Sequence, residues 1–88
     1  MKVEFLSKFN KDLQKLNVRN VKNSVLHTII IVESANSLSE IPNIKKLTDH
    51  KSAYRIKIGD YRIGIFVGGN VVEFARVVHR KEIYKVFP

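Results

Sequence analysis

The chain has 88 residues, with 16 Lys and Arg against 8 Asp and Glu, and a formal net charge of +8. That length suits one domain, residues 1–88, with a single modest core, and a hydrophobic content of 44% argues against disorder. Cysteine is absent, which excludes disulfides and thiolate metal sites, and the longest aliphatic run, Ile29 to Val32, is far too short to cross a bilayer.

Val3 to Phe5 alternates as a short opening strand, and the first residues lack the apolar run of a secretion signal, so a cytoplasmic location is expected. Ser7 stands where it can cap a helix in which Phe9, Leu13 and Leu16 recur at helical spacing. Asn17 breaks that helix and is expected to cap a second. There Val18, Val21, Val25, Ile29 and Val32 repeat every three or four residues. The cluster Ile29-Ile30-Ile31-Val32 is poor helix material, and an embedded strand is the competing reading. The period persists through the cluster, so the segment is assigned to the helix. Ser34 to Pro42 reads as a connector, and Ile44 and Leu47 anchor the following stretch to the core. From Ala53 onward three antiparallel strands are expected, at 53–58, 61–67 and 71–79, joined by Gly59-Asp60 and by Gly68-Gly69-Asn70. Ile83 and Tyr84 in the tail are available for packing. The expected fold is α+β: an N-terminal strand and a two-helix hairpin packed on a small antiparallel sheet with a C-terminal three-strand meander.

Charge is concentrated in the second half of the chain. Residues 1–44 carry six Lys/Arg against four Asp/Glu, whereas residues 45–88 carry ten against four. Within Tyr54 to Arg62, Arg55 and Lys57 fall on one face of an extended strand while Tyr54, Ile56 and Ile58 fall on the other. Arg62 adds a cation to the returning strand. Cations fixed inside strands form a surface for a polyanion, and nucleic acid is the expected partner class. The three histidines are too scattered for a metal site, His27 and His50 read as surface or core residues, and no cofactor is expected. No Ser/His/Asp arrangement or phosphate-cradling glycine loop is present.

The strand–helix–helix–three-strand order, the stretch Ile44-Lys45-Lys46-Leu47 leading into Tyr54 to Arg62, and the closing Val78-His79-Arg80-Lys81-Glu82-Ile83-Tyr84 together resemble the RelE/ParE toxin superfamily. The resemblance covers essentially the whole chain. It implies a small basic toxin of a type II toxin–antitoxin pair. RelE-like members cut mRNA in the ribosomal A site and halt translation, whereas ParE-like members poison DNA gyrase and lack the ribonuclease residues.

Metal-independent RNA cleavage by the adjacent 2′-hydroxyl needs proton removal from that hydroxyl, stabilisation of the phosphorane charge and protonation of the leaving 5′-oxygen. The resemblance implies catalytic roles for Lys57, Arg62, Arg80 and Tyr84. Lys57 would assist the nucleophile, Arg62 would clamp the scissile phosphate as a bidentate guanidinium, Arg80 would stabilise charge or act as the acid, and Tyr84 would stack on a base or orient the 2′-hydroxyl. Arg55 stands where the family places a lysine; a guanidinium does not give up its proton, so its expected role is substrate binding by charge. Arg76, His79 and Lys81 are the other expected substrate contacts. His79 and Arg80 face opposite ways on a strand, so one of them is expected to reach the phosphate. Arg62 paired with Glu73 across the hairpin, and Tyr84 as core packing for the tail, are the structural alternatives.

Two further classes stay open alongside the ribonuclease: a gyrase poison on the same fold, and a basic nucleic-acid-binding domain without catalysis. The expected partners are mRNA, the ribosome and an acidic cognate antitoxin that neutralises several of Arg55, Lys57, Arg62, Arg76 and Arg80 within a hetero-oligomer. No membrane association is expected.

Overall fold

The computed structural model describes residues 1–88. In chain order the elements are β1 (Lys2–Phe5), α1 (Ser7–Lys15), α2 (Arg19–Ser34), a single 3-10 turn (Leu38–Glu40), β2 (Ile44–Lys46), β3 (Ala53–Ile58), β4 (Tyr61–Gly68), β5 (Val71–His79) and α3 (Ile83–Val86). The strands form one sheet in the order β1-β5-β4-β3-β2. The expected α+β plan of a strand, two helices and a three-strand meander is the observed one, with the tail forming the short helix α3 and with two differences in the sheet. The sheet is mixed, because β1 runs parallel to β5. It also gains a fifth strand, β2, antiparallel to β3, in a stretch expected only to anchor the chain.

The two helices cover one face. Val25, Thr28 and Val32 of α2 are buried there, with Val21 and Ile29 packed beside them, and Val18 is exposed. The β-branched run is therefore helical, because its buried positions lie on one stripe against Ile56, Ile63 and Ile65 of the sheet. Thr28 satisfies its buried hydroxyl by donating to the Ser24 carbonyl at 2.8 Å. Phe9 of α1 is fully buried against Phe74, with ring centroids 5.4 Å apart. Neither helix is capped as expected. Leu6 and Val18 occupy the N-cap positions without side-chain bonds, and Ser7 is already helical. Leu6 is held because its own N–H extends the sheet by donating to the Phe74 carbonyl at 3.0 Å. The N-terminal ammonium of Met1 donates to the carbonyls of Val32, Glu33 and Ala35 at the C-terminal end of α2, at 3.3, 2.9 and 2.8 Å. A positive charge is favourable there, where helix carbonyls lack partners.

The opposite face carries a smaller apolar cluster of Leu47, Ala53, Ala75, Ile83 and Phe87. It covers only part of the sheet, and the strand residues beyond it face solvent. In the β4–β5 ladder Gly64 opposes Arg76 while Ile65 opposes Phe74, so Ala75 is the extra residue of a bulge. The bulge shifts the phase of β5. Val72 and Phe74 point to the helices before it and Val77 after it. No helix is long and apolar enough to cross a membrane.

Candidate functional site

Alternation along β3 sends Ile56 into the main core and Ala53 into the smaller cluster, which places Arg55 and Lys57 on the face away from α1 and α2. Lys57 lies directly opposite Arg62 on β4. Like charges in cross-strand register repel, and the pair gains stability when an anion sits between them. The Arg62 guanidinium is steadied by its own turn, with one terminal nitrogen donating to the carbonyls of Gly59 (2.8 Å) and Tyr61 (2.9 Å). Glu73 lies opposite Phe66 and Arg62 opposite Val78, so the cross-strand Arg62–Glu73 pair does not form. The two ion pairs of the chain are Arg76–Asp12 and Arg80–Asp60, which leaves Arg55, Lys57 and Arg62 without a carboxylate.

Tyr84 rises over this face from α3. The helix is only four residues long and is held by two side chains, Ile83 and Phe87, both buried. Tyr84 itself is 73% exposed, so it does not serve as core packing for the tail. One face of its ring lies over the Arg55 guanidinium, 4.5 Å from centroid to Cζ. The Nε of Arg55 is buried and has no hydrogen-bond acceptor. A buried donor without an acceptor costs stability, so the position of this side chain is held by its packing under the Tyr84 ring.

The remaining expected residues are spread around this face. Arg80 is exposed beside the β3–β4 turn, its N–H donating to the Asp60 carbonyl at 2.7 Å and its Nε 3.7 Å from the Asp60 carboxylate. It thus meets Arg62 at the same turn. His79 packs its ring edge-on against Tyr61, 5.5 Å between centroids, on the helix side of the sheet, and its Nδ1 accepts the Lys81 N–H at 3.2 Å. Arg76, in the bulge, turns to α1. Its Nε and one terminal nitrogen donate to the two oxygens of Asp12 at 2.8 and 3.1 Å. Hydrogen bonding to Asp12 raises the Arg76 pKa above its ordinary value, with charge attraction from Asp12 and Glu82 adding to it and burial opposing it. The charge is committed to a structural fork. Asp12 also accepts the Val77 N–H at 3.1 Å, closing the β5 edge where β1 has ended.

A model of the family described as the ParE toxin of the type II toxin–antitoxin system, parDE, matches residues 3–84. Over 89 aligned residues the chain is 40% identical to Toxin RelE3 of Methanocaldococcus jannaschii, covering 100% of both proteins. The chain belongs to the RelE/ParE family of type II toxins. Its backbone matches that of a protein in the RelB–RelE antitoxin–toxin complex from Methanococcus jannaschii with a TM-score of 0.80 at 37% identity, covering 97% of this chain and 99% of the other. A RelE–RelB complex from Pyrococcus horikoshii gives a TM-score of 0.71 at 24% identity over 90% of this chain and 93% of the other, a likeness of fold.

Two parts of this RelE-family toxin escaped the sequence reading. Lys45 stands directly opposite Arg55, because the three residues of β2 pair with β3. Ile44-Lys45-Lys46-Leu47 does not alternate apolar with polar residues, and a three-residue strand is too short to assign from sequence alone. Asp12 gave no signal at all, since its partner is 64 residues away.

Proposed function

We propose that this RelE-family toxin is an endoribonuclease that cleaves mRNA in the ribosomal A site by metal-independent attack of the 2′-hydroxyl, halting translation. The observation that carries the reading is the Lys57–Arg62 cross-strand pair, free of carboxylates, beside an exposed tyrosine stacked on Arg55. Arg62 holds the non-bridging oxygens of the scissile phosphate and takes up the charge of the phosphorane. Lys57, across from it, assists the nucleophile. Arg80, at the same turn, stabilises the departing 5′-oxygen. Tyr84 offers its free face to a base and so aligns the 2′-hydroxyl for in-line attack. The electrophilic centre is bracketed by cations, so charge stabilisation carries most of the rate.

The partner that silences such a surface is an acidic antitoxin. The RelB–RelE complexes among the structural relatives support this reading, as does the excess of cations over acids in residues 45–88. mRNA and the ribosome are the targets, and the cytoplasm is the compartment where both occur.

The second reading is a gyrase poison, favoured by the ParE description of the matching family model. Brief induction followed by primer extension separates the two. New mRNA 5′ ends with intact chromosomal DNA support the ribonuclease. Double-strand DNA breaks with intact mRNA support the gyrase poison and overturn the ribonuclease. Lys57→Ala and Arg62→Ala proteins that still fold should lose the ribonuclease toxicity.

A further inference from the structure

Beside Arg55 and Tyr84 the sheet face deepens into a cavity of about 410 Å³, closed on its far side by the β2–β3 loop. That size is within the range of small-molecule sites and holds one nucleotide. Lys45 and Arg55 line one wall in direct register, Tyr84 another, and Thr48, Asp49 and His50 of the loop the third. The loop is tied down from within. Lys46 Nζ donates to the His50 and Lys51 carbonyls at 2.9 and 3.0 Å. The His50 ring rests on Phe66, 5.6 Å between centroids, and its Nδ1 accepts the Ser52 N–H at 3.3 Å. In the neutral imidazole this leaves the proton on Nε2, a donor. Asp49 accepts the Thr48 hydroxyl on Oδ1 at 3.1 Å and keeps its other oxygen free.

We infer that this cavity is a base-reading subsite for the nucleotide next to the scissile one, with Asp49 and His50 selecting guanine over uracil. The inference rests on the ribonuclease reading of the neighbouring cations. Arg55 lies two residues along β3 from Lys57, about 7 Å, a spacing comparable to one phosphate step in an extended single strand. The phosphate next to the scissile one therefore falls to Lys45 and the Arg55 guanidinium, which line the same wall of the cavity. The base then enters the cavity alongside the Tyr84 ring, whose free face holds the base of the scissile nucleotide. The Watson–Crick edge of the entering base meets the loop, where the carboxylate of Asp49 accepts guanine N1–H and N2–H while His50 Nε2–H donates to O6. Uracil offers one N–H between two carbonyls and cannot satisfy the carboxylate with two donors. An apolar peptide helix finds little to bury against this polar lining.

The test uses the full chain and 2′-fluoro RNA pentamers of uridine with one variable base, which bind without being cleaved. The wild-type protein should bind the guanine pentamer about tenfold more tightly than the all-uridine one, and NMR signals of the His50 and Tyr84 rings should move on titration. Asp49→Asn should reduce that ratio to about twofold or less, and His50→Ala should reduce it independently if one variant fails to fold. Equal affinity for all bases in the wild type, an unchanged ratio in both variants, or ring signals that move only on adding an acidic peptide would overturn the subsite. The outcomes are separable from the parent reading. Cleavage of ribosome-bound mRNA without base preference removes the subsite alone, whereas base preference in the pentamers without cleavage on the ribosome removes the ribonuclease alone.

Discussion

The ring of Phe87 occupies the space where a side chain on Gly64 would begin. A Cβ built on Gly64 would lie 2.5 Å from Phe87 Cγ and 2.7 Å from both Cδ atoms. Gly64 sits at the centre of β4, opposite Arg55 on one side and Arg76 on the other. The missing side chain lets the aromatic ring touch the sheet backbone, and that contact seats α3 and so places Tyr84 above Arg55. An aromatic stack among Phe87, Phe66 and His50 continues the same layer, with Phe66 and Phe87 centroids 4.9 Å apart.

Gly64→Ala should therefore displace Phe87 and loosen α3. A backbone-seated ring cannot give way by a rotamer change alone, and overpacking of this kind costs about 1–3 kcal/mol. Thermal unfolding should show the loss. Phe87→Leu in the same chain should recover part of it by removing the clash, and a strictly additive double mutant would show that the two residues do not interact.

Tyr84 should behave as a functional residue in stability measurements. Its ring is 73% exposed, so Tyr84→Ala should change unfolding free energy by less than about 1 kcal/mol. RNA affinity should fall by the equivalent of one stacked base, about 1–3 kcal/mol. Tyr84→Phe, which keeps the ring face, should retain most of the affinity. A Tyr84→Ala protein that unfolds as readily as Phe87→Ala would contradict the exposed placement.

The Asp12 carboxylate holds both Arg76 and the Val77 N–H. Asp12→Ala should leave a half-buried guanidinium and an edge amide without acceptors, at a cost of about 2–4 kcal/mol. Amide exchange at Val77 should accelerate selectively. Arg76→Ala should cost less, because Asp12 keeps the Val77 N–H. Equal effects from the two substitutions would show that the backbone bond contributes nothing.

Binding of single-stranded RNA should weaken steeply with salt. Three cations, Arg55, Lys57 and Arg62, free of carboxylates, predict a slope of log K against log salt of about −2. Removing Lys57 should make the slope shallower by about 0.7. Affinity that ignores ionic strength would place the RNA elsewhere on the chain.

The amino-acid sequence determined the types of the longer elements because local periodicity decides them, while the short β2 and α3 carried too few residues to show one. The alternation in 53–58, the glycine turns at Gly59 and Gly69, and the α2 stripe through the β-branched cluster each depend on residues within a few positions of one another. The same alternation placed Arg55 and Lys57 on one face, and the short hairpin set Lys57 opposite Arg62. Tertiary structure decided everything that joins distant segments. β1 pairs parallel to β5 across about 69 positions, and nothing local to Lys2–Phe5 specifies that neighbour. The bulge at Ala75 changed the side on which the end of β5 presents its residues, sending Val77 and His79 to the helix side and Arg76 to Asp12. A one-residue insertion into a ladder inverts all later alternation, and its position is set by the partner strand, at Gly64. The cavity beneath Tyr84 likewise has no signature in sequence, since its walls come from β2, β3, their loop and α3, and meet only because a ring from the C-terminus fits where one glycine lacks a side chain.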